Sequence, residues 1–302
     1  MNVTVFRSWK RVAAVLASAA LTSALIATPA HAAAGSFTTT INADSADVYY
    51  PSTGSRLPVA LLLQGANVDK AHYVSYAKTL ASYGFVVAVP NHSRVILGTA
   101  GLFPEGAQAG WTVDWAAAQD ADPASPLYRR VDETTLLLAG HSFGAAASLA
   151  LSTGVCTFPF CPAPVTTPPE LKAVVTYGGN NVNGDTPAPV ANTVPVAYLQ
   201  GLTDGVATPS EGRATYDVTS GTPKAYITLT GANHYGITDT QNPPGAAPDQ
   251  SIQTLPQRTS VETTARWSAR WFQAQLGDPL AKTYVYSVGD LLDRNVTVLS
   301  AR

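Results

Sequence analysis

Residues 134–144 read Thr134-Thr135-Leu136-Leu137-Leu138-Ala139-Gly140-His141-Ser142-Phe143-Gly144, followed by Ala145-Ala146-Ala147-Ser148-Leu149-Ala150-Leu151-Ser152. The opening run is apolar and of strand length, and the closing run is rich in the helix formers Ala and Leu. Between them stands Gly-x-Ser-x-Gly. A strand that turns this sharply into a helix brings backbone against backbone, so the positions two residues either side of the serine must be glycine. The serine is then held exposed and strained, with the next helix's N-terminus beneath it. The pattern predicts a strand over Thr135–Ala139, a helix over Phe143–Ser152 and a nucleophile at Ser142.

Outward from this turn, short apolar runs rich in β-branched residues recur at Val59–Leu63, Phe85–Val89, Ala173–Tyr177, Val194–Leu199 and Ala225–Leu229. Each is apolar on both faces, as the strands of a buried parallel sheet must be. Helical stretches fit between and after them. Ala71–Tyr83 places Tyr73, Tyr76, Ala77, Leu80 and Ala81 on one face and stops at Gly84. Gln257–Leu276 turns Trp267, Trp271 and Leu276 inward, and Asp44–Tyr50 adds an antiparallel strand. Strand–helix alternation predicts a doubly wound α/β sheet in one domain. Leu97–Pro126, Cys156–Pro169 and Asp239–Pro256, rich in Pro, Gly or Asp, read as long excursions at the sheet's edge, where function usually sits.

A serine hydroxyl needs a base to act as a nucleophile. His234, in Gly231-Ala232-Asn233-His234-Tyr235-Gly236, follows the last of these strands and suits that role, whereas His72 opens a helix and His92 precedes the serine. The acid that orients the imidazole should end a strand between them. Asp204, in Gln200-Gly201-Leu202-Thr203-Asp204-Gly205, meets this, ahead of Asp185 in a Gly/Asn turn and Asp217 beyond the loop. The order Ser142, Asp204, His234 is the chain order that this kind of elbow requires. A developing oxyanion needs two main-chain N–H donors, here those of Phe143 and of Ala66 in Gln64-Gly65-Ala66-Asn67.

In Leu61–Asn67, Ala81–Val87, the Gly140–Gly144 elbow and Gly231–Ile237, the chain resembles the α/β-hydrolase superfamily, and more narrowly its chlorophyllase-like and dienelactone-hydrolase-like serine esterases. Gln64 stands where a His commonly precedes the oxyanion glycine, and Phe143 where plant-type chlorophyllases carry Arg. The resemblance implies the α/β-hydrolase fold, with a mostly parallel central sheet flanked by helices. It also implies ester hydrolysis through an acyl-enzyme without metal or organic cofactor, and a chlorophyll-type ester as substrate. A general secreted esterase, lipase or cutinase-like polyester hydrolase is the alternative. A secreted acyltransferase using the same triad is a further one.

Phe103, Trp111 and Tyr235, on or beside the loops expected over the site, are the candidate substrate-lining residues, with Phe143, Phe158 and Phe160 close by. They suit an apolar ester.

Composition narrows the partners. The chain has 302 residues, only 13% of them charged, and a formal charge of −2, which excludes a polybasic nucleic-acid binder. Arg7, Lys10 and Arg11 precede the apolar run Val12–Ala27 and the small-residue site Ala30-His31-Ala32. This is the pattern of a secretory signal peptide over residues 1–32, with the hydrolase domain over 33–302 and Ala33 as the expected first mature residue, a cut between Ala34 and Gly35 being the close alternative. Loss of the leader leaves 15 basic and 20 acidic side chains, and no other stretch is long and apolar enough to span a membrane, so no stable membrane insertion is expected. A monomer is the expected state. Outside the cell Cys156 and Cys161, with four residues between them, suit a disulfide better than thiol catalysis, since a Pro-rich loop offers no base.

Overall fold

The computed structural model describes residues 35–183 and 186–302. The leader, residues 1–32, and Asp185 lie outside them. In the strand Leu57–Leu63 (β3), Val59, Leu61 and Leu63 face one side of a sheet while Ala60 and Leu62 face the other, and all five are buried. Period-two alternation with both faces apolar requires a layer of helices on each side. The sheet is built on this plan, with nine strands among the described residues. They are β1 (Gly35–Ile41), β2 (Asp44–Tyr50), β3, β4 (Val86–Pro90), β5 (Val131–His141), β6 (Leu171–Tyr177), β7 (Val196–Gly201), β8 (Lys224–Leu229) and β9 (Val296–Ala301). Their order is β1-β2-β4-β3-β5-β6-β7-β8-β9. From β4 through β8 all neighbours are parallel; β1, β2 and β9 run antiparallel at the two edges.

Five main helices cover the faces: α1 (Val74–Ser82), α2 (Gln108–Ala121), α3 (Phe143–Ser152), α4 (Pro209–Val218) and α5 (Gln257–Gln275). On one side α1 and α5 pack together, bringing Tyr73, Tyr76, Trp267, Trp271 and Phe272 onto the sheet. On the other, α2 and α3 bury Trp115, Leu149 and Leu151. The mostly parallel sheet with helices on both faces is the α/β-hydrolase arrangement in one domain.

Several boundaries and several whole elements differ from the sequence expectation. The helix expected over Ala71–Tyr83 begins as a 3₁₀ turn, Lys70–Tyr73, before α1, and Gly84 at φ 99° ends it. The excursion expected over Leu97–Pro126 contains α2 and most of a hairpin, Ser93–Leu102. Besides Trp115, the buried residues of α2 are Gln108, Ala109, Thr112 and Ala116, too small and polar to signal a helix, and no side chain caps its start. Docking against β3 and β5 supplies what the pattern lacks. Leu276, expected to face inward, is 40% exposed: it caps α5, and Gly277 at φ 101° turns the chain away. The edge strands β1 and β9 carry too much Ser and Thr to read as sheet core. Cys156 and Cys161 are joined as a disulfide, Cα–Cα 5.7 Å. No helix among the described residues is long and apolar enough to cross a membrane.

Candidate active site

Parallel strands end together at the C-terminal edge of the sheet, so the loops after β3, β5, β6, β7 and β8 converge there. Ser142 occupies the turn from β5 into α3 at φ 52°, ψ −115°, a conformation costly for a residue with a side chain. Its neighbours show why the turn is this tight. A Cβ on Gly140 would stand 2.4 Å from the Gly144 carbonyl oxygen, and one on Gly144 would stand 2.1 Å from that of Leu63. The Ser142 N–H donates to Tyr177 O at 2.9 Å, tying the elbow to β6.

Asp204 and His234, thirty residues apart, meet across the ends of β7 and β8. The His234 Nδ1–H donates to Asp204 Oδ2 at 2.9 Å, both side chains being almost wholly buried. Asp204 Oδ1 also accepts from the N–H groups of Val206 (2.9 Å) and Ala207 (2.8 Å), and Oδ2 accepts from Gln200 Nε2 (3.2 Å). A carboxylate with so many donors is held in one orientation. With its Nδ1 proton so engaged, His234 keeps the Nε2 lone pair free to take a proton.

Gly178, at φ 57°, joins this pair to the serine. A Cβ there would fall 2.9 Å from both Asp204 Oδ2 and His234 Nδ1, while Gly178 and Ser142 line the same cleft. That cleft, about 670 Å³, is also lined by Ala66, Phe143, Phe160, Asn180 and Val206. The N–H groups of Ala66 and Phe143, the two expected oxyanion donors, have no hydrogen-bond acceptor among the described residues.

The candidate lining residues fare differently. Phe103 sits against the Phe143 ring, centroids 5.8 Å apart, one ring removed from the cleft. Trp111 is drawn by α2 against His92, 5.5 Å away, outside the cleft lining. Tyr235 is buried between His141 and His234, its hydroxyl donating to Ala247 O. All three pack the loops under the site. Phe160, carried in by the disulfide loop, lines the cleft instead. Asp217 is exposed on α4 and paired with Arg213, and His72 bonds Thr240 at the surface. His92 lies between Asp44 (2.8 Å) and Glu105 (3.1 Å).

Two buried groups not anticipated from the sequence hold the site together. Asp249 Oδ2 accepts from the His234 N–H (2.9 Å) and from the Gly205 N–H (3.2 Å), and its Oδ1 accepts from Ser251 N–H (2.8 Å). One carboxylate oxygen thus joins the loop of the acid to the loop of the base. His141, next to the serine, lies in a hydrogen-bond chain. Gly65 N–H donates to Tyr73 Oη (2.9 Å), the Tyr73 hydroxyl donates to His141 Nδ1 (2.8 Å), and His141 Nε2–H donates to His234 O (2.9 Å). Burial, reinforced by the neighbouring His234, holds the His141 pKa well below the usual histidine range, and burial pushes the Tyr73 phenol far up. Both stay neutral, so the chain keeps one direction. The signal available in sequence was only the polarity of position 141 in an otherwise apolar run.

A family model described as PET hydrolase-like matches residues 20–245, a span that includes Ser142, Asp204 and His234. No curated protein matches the chain.

Proposed function

The chain belongs to the PET hydrolase-like family, carboxylic ester hydrolases of the α/β-hydrolase superfamily, and from that membership we propose a secreted polyester hydrolase acting through Ser142, His234 and Asp204. Ser142 Oγ attacks the ester carbonyl carbon as His234 Nε2 takes its proton. The tetrahedral oxyanion is held by the N–H groups of Phe143 and Ala66. Collapse expels the alcohol, which receives the proton from His234, and leaves an acyl-serine. Water, deprotonated by the same nitrogen, then attacks the acyl carbon, and the acid leaves as Ser142 regains its proton. Asp204 holds the imidazole in the required tautomer and stabilises the imidazolium.

The observation that carries this reading is the strained Ser142 opening on a cleft beside the buried Asp204–His234 pair. Polyester is favoured over a chlorophyll ester by the family match. Export after removal of residues 1–32 is supported by the leader pattern, by the Cys156–Cys161 disulfide and by the habit of the family.

The test is product release from an amorphous terephthalate polyester film, beside p-nitrophenyl acetate hydrolysis and phytol release from chlorophyll a. Ser142→Ala is the blank for all three. The expected result is release from film and small ester, lowered by at least ~10³-fold in Ser142→Ala with the fold intact. Small-ester turnover retained in that variant would refute the nucleophile. Serine-dependent phytol release without film products would replace polyester by chlorophyll.

A further inference from the structure

The loop that carries the Ala66 donor is fastened everywhere except at that donor. Of the four N–H groups in Gly65–Val68, three are engaged: Gly65 donates to Tyr73 Oη (2.9 Å), Asn67 to Leu102 O (2.8 Å) and Val68 to Gly65 O (3.1 Å). Only the Ala66 N–H has no acceptor among the described residues, and Ala66 lines the Ser142 cleft. A donor aimed in advance at the developing charge needs no reorganisation as the reaction proceeds. That advantage requires the residues on both sides of it to be held.

Strand pairing does not hold them. The pairing of β3 with β5 ends at Leu63 and Gly140, two residues short of Ser142. Two side chains take over beyond that point. Tyr73, at the end of the turn Lys70–Tyr73, is wholly buried and outside the cleft lining. Its hydroxyl accepts from the Gly65 N–H and donates to Nδ1 of His141 (2.8 Å), the residue before Ser142. The loop lies directly on this imidazole, since a Cβ on Gly65 would stand 2.8 Å from His141 Nδ1. One phenol thus ties the residue before Ala66 to the strand that ends in the nucleophile. On the other flank Asn67, at φ 57°, accepts from the Leu102 N–H through Oδ1 (3.0 Å), while its own N–H donates back to Leu102 O. This reciprocal pair fastens the residue after Ala66 to the hairpin Ser93–Leu102. Asn67 is likewise outside the cleft lining.

We propose that Tyr73 and Asn67 are positioning residues of the oxyanion hole: neither touches the substrate, and together they set the Ala66 N–H against Ser142. The proposal rests on the serine-hydrolase reading of the Ser142 cleft. Tyr73 is the stronger of the two anchors, because its removal leaves both the Gly65 N–H and His141 Nδ1 buried without a partner.

Two variants test it. Tyr73→Phe keeps the ring and removes only the hydroxyl. Asn67→Gly tolerates the positive φ, keeps the N–H and removes only the Oδ1 acceptor. Each is assayed on p-nitrophenyl acetate and against an alkyl trifluoromethyl ketone. The ketone's carbonyl carbon bonds Ser142 Oγ as the serine proton passes to His234, which leaves an oxyanion in the hole. On the ester, kcat should fall about 10–30-fold in Tyr73→Phe and about 3–10-fold in Asn67→Gly, with KM within about twofold of the parent. The inhibition constant of the ketone should rise by the factor by which kcat/KM falls, because both report the oxyanion. The acidic midpoint of the kcat/KM profile should not move, since the Asp204–His234 pair is untouched. A lowered kcat with unchanged ketone affinity would overturn the proposal. So would a moved midpoint, which would assign the loss to the base through the bond from His141 to His234 O. An unchanged kcat in folded Tyr73→Phe would overturn it as well. Should Tyr73→Phe melt below the assay temperature, the half-buried Asn67→Gly decides by the same three readouts. Failure of the catalytic reading is separate: it would appear as p-nitrophenyl acetate turnover that survives Ser142→Ala and as a parent enzyme indifferent to the ketone.

Discussion

Asp249 reaches no substrate, yet its carboxylate carries the two N–H groups whose loops must meet for His234 to lie on Asp204. Removing it leaves buried donors without acceptors, which costs about 1–3 kcal/mol for each group. It also loosens the base relative to the acid. Asp249→Ala should lower kcat on a small ester roughly 10–100-fold with little change in KM, since what is lost is positioning. Asp249→Asn keeps one side-chain oxygen as acceptor and should retain much more of the activity. Steady-state kinetics on both variants check this, and equal loss in the two would assign the effect to charge rather than to hydrogen bonding. Ser142 makes a related point. Its strained φ of 52° is imposed by the close approach of Gly140 and Gly144 to the backbone around them, so the exposed hydroxyl is a property of its neighbours.

Among elements, the segment from the end of β4 to the start of α2 shows how a charged cluster can fasten loops beside a site. His92 stands between Asp44 of β2 and Glu105, with its ring edge on Trp111. Arg94 lies 3.7 Å from Glu105 and donates to the carbonyls of Phe103 (2.9 Å), Pro104 (3.0 Å) and Pro159 (2.5 Å). Burial disfavours the charged form of His92, but the Glu105 carboxylate and the charge of Asp44 outweigh it, and its pKa is raised. A raised folded-state value means that the imidazolium's contribution is complete below the unfolded value of about 6.5 and is lost as pH climbs through the folded one. The melting-temperature gap between the parent and His92→Gln should therefore be widest near pH 6 and narrow towards pH 9. Thermal melts across that range decide it; a gap that widens with pH would mean the cluster favours neutral His92.

For the molecule as a whole, the site depends on a sheet clamped from both sides. Trp271 lies in the layer formed by α1 and α5, wholly buried and remote from the Phe160 side of the cleft. Trp271→Ala should cost about 3–5 kcal/mol through lost burial and the cavity left behind. Below the lowered melting point, kcat on a small ester should be nearly unchanged. Denaturant unfolding beside kinetics at 25 °C tests both halves. A large kcat loss in the folded variant would show that the two layers are coupled through the sheet.

At this scale the division between chain and fold is clear. Leu136–Ala139 and Leu61–Leu63 announce a sheet covered on both faces because side-chain direction alternates every residue, so burial is written locally in the order of residues. The Gly-x-Ser-x-Gly turn is equally local: its steric demand spans five residues and needs no distant partner to be read. Position in the chain also singled out Asp204 and His234, since strand ends are where parallel sheets gather their loops. Other features have no local signature. Helix α2 has a stripe of small and polar residues and exists because β3 and β5 offer a surface for it. Asp249 sits in a stretch that reads as loop, and only folding brings its oxygen under His234. Trp111 and Tyr235 looked like substrate contacts and became packing, while Phe160 reached the cleft through the disulfide loop. Sequence by itself determined the core strands, the elbow and the acid–base candidates, because short-range sterics and periodic burial encode them. Tertiary structure alone decided which loops meet and which rings face the cleft, because strand order brings together segments that share no local pattern.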